Sequence, residues 1–129
     1  MTDAGGAGGG APGRASPPPA ATLALRMEDV THWVIERVAK MPREHKFTLG
    51  EKLVETCLHV TCLLVEAAYT RDKLRLLADA SRGLTRARVL ARLASRVRAL
   101  SGEQLAHFER ETVDIGRSLG GWTRSVQRR

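Results

Sequence analysis

The sequence has few aromatic residues and few cysteines. Its 129 residues include only two Trp, one Tyr and two Phe. Because single-stranded nucleic acid is usually held by stacking on aromatic rings, we expect a nucleic-acid ligand to be bound mainly through its phosphates. The two cysteines, Cys57 and Cys62, would lie about 140° apart on a helix. We therefore predict that they are unpaired and that both are small buried residues. The lack of a disulfide framework is compatible with a reducing compartment.

Signals for membranes and for export are also missing from the sequence. The uncharged stretch between Glu55 and Glu66 has ten residues, which is too short to cross a bilayer. The N-terminus lacks a basic segment followed by an apolar run, so no signal peptide is predicted. We expect a cytoplasmic protein that does not interact with membranes.

Motifs for catalysis and for metal binding are not found. A di-iron bundle needs two Glu-x-x-His motifs, and the nearest pair, Glu55 and His59, is one residue too long. His59 and Cys62 could share a metal ion only with two further ligands, for which the sequence offers no evident source. A haem attachment motif and a phosphate-binding loop are also absent. We therefore expect a protein that is not an enzyme and that has no cofactor.

The composition changes sharply after the first residues. Residues 1–22 include six glycines and four prolines, and such a segment buries too little surface to offset its ordering entropy. We predict a disordered tail over 1–22, a folded domain over 23–125 and a short basic tail over 126–129.

Apolar residues at helical spacing predict four helices in the folded domain. The first covers about 27–41 and ends before Pro42, with a core face formed by Val30, Val34 (or Trp33), Val38 and Met41. The second begins with a predicted capping box, Thr48 and Glu51, and runs to about Tyr69. Its polar strip is narrow, which indicates a helix that is central in a bundle or shared with another subunit.

The third helix is predicted over about 71–99 and the fourth from a second capping box, Ser101 and Gln104. Gly83 weakens the third helix and suggests a close helix contact, while Gly120 and Gly121 are expected to end the fourth. The core half of the third helix is predicted to contain Leu76, Ala80, Leu84, Ala87, Leu90, Ala91, Ala94 and Val97. The short connections favour an all-α, antiparallel up-down four-helix bundle, and the wide apolar surface favours a homo-oligomer.

Positive charge is concentrated on the third predicted helix. The chain has 21 Lys and Arg against 14 Asp and Glu, a net charge of +7. Residues 71–100 contain nine basic and two acidic residues, and nine minus two is again +7. The candidate binding residues lie on one half of this helix: Arg75, Arg82, Arg86, Arg88, Arg92 and Arg96. Arg88, Arg92 and Arg96 repel each other at a spacing of four residues, which suggests that a partner offsets this cost.

Three explanations of the arginines remain open from the residues alone. They could bind the phosphates of a nucleic acid, face acidic groups of a protein or of a neighbouring copy, or lie on a solvated surface. A membrane-surface helix is disfavoured, because the apolar half of this helix lacks large aromatic residues and is needed for the core.

Several longer segments resemble a known family. The segments "KFTLGEKL", "EAAYTRDKL" and "IGRSLGGWTRS", within a match over about 41–125, are similar to the accessory variability determinant (Avd) of diversity-generating retroelements. The resemblance implies a bacterial four-helix-bundle protein that forms a homopentameric barrel. It also implies binding of the element's reverse transcriptase and of template RNA or cDNA, in support of mutagenic retrohoming, without catalytic residues of its own. The six arginines would then be nucleic-acid or polymerase contacts. The alternative is a structural homo-oligomer whose arginines pair with acids of a protein partner.

Overall fold

Four long helices form the framework of the molecule. A computed structural model of the chain describes residues 19–129. The helices are α1 (Pro19–Ala39), α2 (Glu51–Ala68), α3 (Lys73–Arg96) and α4 (Gly102–Gln127). Between α1 and α2, a short helical turn, Arg43–His45, continues into a π-helical turn, Lys46–Gly50; we call residues 43–50 the apical turn. No strand is found in the described part of the chain, which confirms the predicted all-helical fold.

The helices are arranged as a four-membered bundle. Both α1 and α3 pack against α2 and against α4, so α1 and α3 are diagonal to each other. Consecutive helices are joined by short connections and pack side by side, as in an up-down bundle. The apical turn, the end of α3 and the start of α4 therefore lie at the same end of the bundle.

The core extends further towards the N-terminus than the sequence analysis expected. Val30, Val34, Val38 and Met41 are buried, as predicted. Leu23, Ala24 and Met27 are also buried, and α1 begins at Pro19 rather than near Met27. A proline is well tolerated at the first position of a helix, because its missing N–H would have no partner there. Residues 19–22 of the predicted tail are thus helical, and the rest of that tail lies outside the described residues.

Helices α2 and α3 approach closely because α3 has small residues where they meet. Its buried residues include Ala80, Gly83, Ala87 and Ala91. A Cβ atom placed on Gly83 would lie only 2.5 Å from Cγ2 of Val60. The predicted close helix contact at Gly83 is therefore confirmed.

The predicted capping box at the start of the second helix is wrong. Thr48 lies inside the π-helical turn, and its hydroxyl donates to the carbonyl oxygens of Glu44 at 3.4 Å and His45 at 3.3 Å. The backbone is already helical before Glu51. The Thr48 hydroxyl therefore donates to the preceding turn, as threonine hydroxyls within helices do. The helical path begins after Pro42, whose extended backbone conformation precedes Arg43.

The predicted start of the fourth helix is confirmed, but its predicted end is wrong. The Gln104 amide N–H donates to the Ser101 hydroxyl oxygen at 3.1 Å, and the Ser101 N–H donates to the Gln104 side chain at 2.9 Å. Helix α4 then continues through Gly120 and Gly121 to Gln127. Each glycine costs about 1 kcal/mol relative to alanine. Packing of Trp122 and Val126 against the core offsets that cost.

Two further predictions of burial differ from the structure. Cys57 is buried but Cys62 is exposed on the outer face of α2, although both thiols are free as predicted. Val97 lies just after α3 and is 43% exposed, because the helix ends at Arg96 and the chain turns there.

Within the described residues, no helix is long and apolar enough to cross a membrane.

Candidate nucleic-acid interface

Five of the six predicted arginines lie on the outer surface of α3. Arg75, Arg82, Arg86, Arg92 and Arg96 are exposed, on the side of α3 that faces away from its buried alanines and leucines; we call this surface the arginine face. Its position follows from the wheel of α3, since the core residues recur at helical spacing on the opposite side. The structure therefore brings these five residues to one surface, as the sequence predicts.

The N-terminal part of the arginine face is paired with acids of its own helix. Arg75 donates from Nε to Asp72 at 3.0 Å and lies 3.8 Å from Asp79. Arg82 pairs with Asp79 as well. The hydrogen bond and the charge of Asp72 raise the pKa of Arg75 above its ordinary value, so this guanidinium stays charged. All these pairs are solvent-exposed, and such pairs are weak and screened by salt.

Arg88 differs from the other five because it turns towards α4. It is partly buried, its Nη2 lies 3.5 Å from the carbonyl oxygen of Thr112, and its buried Nε has no hydrogen-bond partner among the described residues. Gly116 provides the space for this side chain, since a Cβ there would lie 3.1 Å from the Arg88 Nη2. Arg88 is therefore a residue of the α3–α4 contact more than of the outer surface.

Arg92, Arg86 and Arg96 form the least neutralised part of the arginine face. Arg92 Nη1 lies 3.8 Å from Oε2 of Glu109 on α4, a distance that leaves the pair loose. Arg86 and Arg96 make no ion pair with any residue that the structure describes. These guanidinium groups are able to bind phosphate or carboxylate oxygens in bidentate fashion.

Aliphatic side chains lie between the arginines, and the sequence analysis missed them. Val89 and Leu93 are each 42% exposed on the outer side of α3. Val89 shares a shallow open depression with Arg82 and Arg86. The signal was present in the sequence, because Val89 and Leu93 are four residues apart and lie outside the predicted core half. The outer side of α3 is thus partly apolar, which is typical of a surface that contacts protein as well as phosphate.

A second surface of opposite charge covers the outer sides of α1 and α2. Its exposed acidic residues are Glu28, Asp29, Glu36, Glu51, Glu55 and Glu66. Its exposed apolar residues are Leu25, Ile35, Leu58, Val65 and Tyr69. We call this surface the acidic face. The exposed apolar residues of this face account for the narrow polar strip predicted for the second helix. Helix α2 has more apolar residues than the core of one chain buries.

A metal centre is not formed by residues 19–129. No group of three or more His, Cys, Asp or Glu side chains in this part of the chain is placed to hold a metal ion. His59 and Cys62 are both exposed on α2. His107 instead packs against Trp33, with ring centroids 4.8 Å apart and the ring planes tilted by 44°, so it takes part in packing between α1 and α4.

Together these features define an all-helical bundle protein with one arginine-rich and one acid-rich outer surface. A family model described as bAvd-like matches residues 22–126. The chain belongs to this bAvd-like family, as the motifs in the sequence indicated, and the family is one of accessory, non-catalytic proteins. No curated protein matches the chain at a significant level.

Proposed function

We propose that the protein is a non-catalytic accessory protein of a diversity-generating retroelement, that it binds RNA or cDNA through the arginine face, and that it associates with the element's reverse transcriptase. Membership of the bAvd-like family supports the accessory role. The observation that carries the nucleic-acid proposal is the outward position of Arg86 and Arg96, which have no acidic partner among the described residues. Cations that remain unneutralised on a helix surface attract phosphates and release counterions when these bind.

The test is RNA binding across a salt series with a triple variant, Arg82→Gln/Arg86→Gln/Arg96→Gln. Each phosphate that the variant no longer binds should reduce the slope of log K against log[salt] by roughly 0.7 to 0.9. A matched control, Arg110→Gln/Arg117→Gln/Arg128→Gln, removes the same charge from exposed positions of α4 and its end. We expect the first variant to show a lower affinity and a shallower slope, and the control to stay near wild type. Equal decreases in the two variants would show that only net charge matters and would refute a specific role of α3.

We also propose a homo-oligomer, and the two outer surfaces of opposite charge offer an interface for it that would compete with nucleic acid for the arginine face. The arginine face and the acidic face each combine charge with aliphatic residues, so contact between them would bury apolar area and pair charges. Such a contact joins different surfaces of two copies and closes into a ring if the rotation allows it. A pentamer, the size that the family resemblance implies, is testable by light scattering at several protein concentrations.

A second candidate function follows from Val89 and Leu93. A purely structural role would place the arginine face against acids of a protein partner, and exposed aliphatic residues between the arginines favour that contact. Measuring the mass of the triple variant separates the two functions. Retained mass without RNA binding supports the nucleic-acid role, whereas a fall to monomer supports the structural one. Pull-down of the purified reverse transcriptase with the same variants tests the polymerase contact.

A further inference from the structure

An exposed aromatic ring lies on the apical turn, away from the arginine face. Phe47 is 59% exposed, although a phenylalanine ring is usually buried. An apolar residue just before a helix often packs on its first turns, but the structure leaves the Phe47 ring in solvent. No other large hydrophobic side chain in residues 40–52 is exposed, so the ring is the only large apolar group that the apical turn presents to solvent.

The turn that presents Phe47 is firmly anchored in the bundle. Gly50 is buried, and a Cβ placed on it would lie 2.8 Å from Cγ1 of Val38 and 3.1 Å from Sδ of Met41. The amides of His45 and Lys46 both donate to the carbonyl oxygen of Pro42 at 2.9 Å. A π-helical turn is rare and often occurs at functional sites. The exposure of Phe47 is therefore a property of a fixed turn.

Two cations lie over the Phe47 ring. The Arg43 guanidinium carbon lies 5.7 Å from the ring centroid of Phe47, and the Lys46 ammonium nitrogen lies 6.0 Å from it. Neither cation makes an ion pair with a residue in the described range 19–129. The combination of an exposed ring and two free cations offers a base a stacking partner and offers its phosphates positive charge.

The end of the bundle around this ring is basic. Residues 40–52 and 96–103 meet there, and they contain six cations and three acids. The cations are Lys40, Arg43, Lys46, Lys52, Arg96 and Arg98, and the acids are Glu44, Glu51 and Glu103. Arg98 adopts a left-handed backbone conformation with φ of 64° in the connection between α3 and α4. Arg96 is also a member of the arginine face, so that face extends to this end of the bundle.

Tyr69, the other exposed aromatic residue, lies in a different environment. It is 85% exposed at the opposite end of the bundle and lines an apolar depression with Leu25, Val65 and Glu28. None of the close cation–ring contacts within residues 19–129 involves Tyr69. The surroundings of Tyr69 suit an apolar protein contact, whereas those of Phe47 suit a nucleotide.

We propose that the apical turn is a binding site for single-stranded nucleic acid, with a base stacked on Phe47 and the adjoining phosphates held by Arg43 and Lys46. This inference rests on the proposed nucleic-acid function and adds a site that recognises unpaired bases. A duplex keeps its bases inside the stack and cannot use the ring, while the arginine face can bind phosphates of either form. The apical turn thus selects single strands, and the arginine face supplies affinity without that selection.

The test compares a labelled unstructured single-stranded RNA with a duplex RNA of the same length, using the full chain and fluorescence anisotropy. Phe47→Leu keeps an apolar side chain and removes the aromatic ring, and Phe47→Trp keeps a ring. Tyr69→Leu is the matched control for removal of an exposed aromatic residue, and light scattering checks that its mass is unchanged, because Tyr69 belongs to the acidic face. We expect Phe47→Leu to weaken single-strand binding about tenfold, within the range measured for one stacked base, and to leave duplex binding unchanged. Phe47→Trp should bind the single strand as tightly as wild type. Circular dichroism melts check that each variant is folded.

A second variant separates the phosphate contacts from stacking. Arg43→Gln/Lys46→Gln should reduce the salt slope for the single strand by roughly 0.7 for each phosphate that these two side chains bind in the wild type. It should leave the slope for the duplex unchanged.

The outcomes distinguish this site from the arginine face. If Phe47→Leu binds the single strand like wild type, or weakens duplex binding equally, the apical site is refuted, whatever the arginine face does. If Tyr69→Leu keeps its mass and weakens binding as much as Phe47→Leu, the effect is not specific to this ring and the site is also refuted. If the triple α3 variant binds normally while Phe47→Leu does not, the role of the arginine face fails and the apical site stands. If the wild type binds neither RNA, both proposals fail.

Discussion

The close contact between α2 and α3 predicts an unusual effect of replacing Gly83 with alanine. In a helix interior this change normally stabilises by about 1 kcal/mol, because alanine has the better helix propensity. Here the added Cβ would meet Cγ2 of Val60 at 2.5 Å, well inside contact distance. We therefore expect Gly83→Ala to destabilise the bundle.

The magnitude follows from the two opposing terms. Overpacking a well-filled core costs typically about 1–3 kcal/mol. The upper half of that range applies at Gly83, because Val60 is fully buried and its β-branched side chain has few alternative rotamers. Subtracting the gain of about 1 kcal/mol in propensity leaves a net destabilisation of about 1–2 kcal/mol. For a domain of about 100 residues, this lowers the melting temperature by roughly 4–10 °C.

The assay is thermal and urea unfolding by circular dichroism, with Gly121→Ala as the control. Gly121 also lies within a helix, and the nearest atom to its added Cβ is Arg124 Nη2 at 3.9 Å. We expect the control to gain up to about 1 kcal/mol. Val60→Ala should relieve the clash. The loss of free energy of unfolding in the double variant Val60→Ala/Gly83→Ala should therefore be smaller than the sum of the two single losses, by about 1 kcal/mol or more. A Gly83→Ala protein as stable as the control would refute the close contact.

Four further predictions concern the cap of α4, the reactivity of the thiols, the pH dependence of stability and the turn after α3. Ser101→Ala should reduce the free energy of unfolding by about 1 kcal/mol, whereas Thr48→Ala should change it little, because Thr48 is not a cap; urea unfolding checks both. Cys62 should react quickly with a thiol reagent in the folded protein and Cys57 only after unfolding, because burial raises the pKa of Cys57 to about 12. Since the Cys57 thiol ionises more easily in the unfolded chain, stability should fall as the pH rises from about 9 towards 12. Arg98→Val should lower the melting temperature relative to Arg98→Gly, because a β-branched residue is strained at a φ of 64°.

Periodicity predicted the helices and the core, while local end signals were less dependable. The spacing of Val30, Val34 and Val38 reports burial directly, and these residues are buried. Capping residues act only where the backbone outside the helix is extended. That condition holds at Ser101, whose ψ is 164°, and fails at Thr48, which lies inside a helical turn. Gly120 and Gly121 resemble a helix end in sequence, but tertiary packing of Trp122 beyond them decides the outcome.

The arginine face was predictable as a set of positions but not as a set of contacts. A helical wheel places all six arginines on one half of α3, and five of them are exposed. The wheel cannot show that Arg88 turns into the space left by Gly116, because that space depends on the packing of α3 against α4. Nor does it identify Phe47, whose exposure depends on the π-helical path of the apical turn. Sequence patterns describe one helix at a time, and these features depend on pairs of elements.

The two proposed uses of the arginine face exclude each other on a single protomer. A guanidinium that is buried between the arginine face and the acidic face of a neighbouring copy is not accessible to a phosphate. If copies join through the arginine and acidic faces, Arg82 and Arg86 are covered and the nucleic acid must bind elsewhere. The apical turn remains available in that case, because Phe47, Arg43 and Lys46 lie at the end of the bundle rather than on its sides.

A ring would then place several apical turns around one axis, and a single strand that touched more than one of them would gain affinity through effective concentration. Weaker single-strand binding by Phe47→Leu, together with a fall in mass of the triple α3 variant, would identify this arrangement. Weaker duplex binding by the triple variant at unchanged mass would instead leave the arginine face to the nucleic acid.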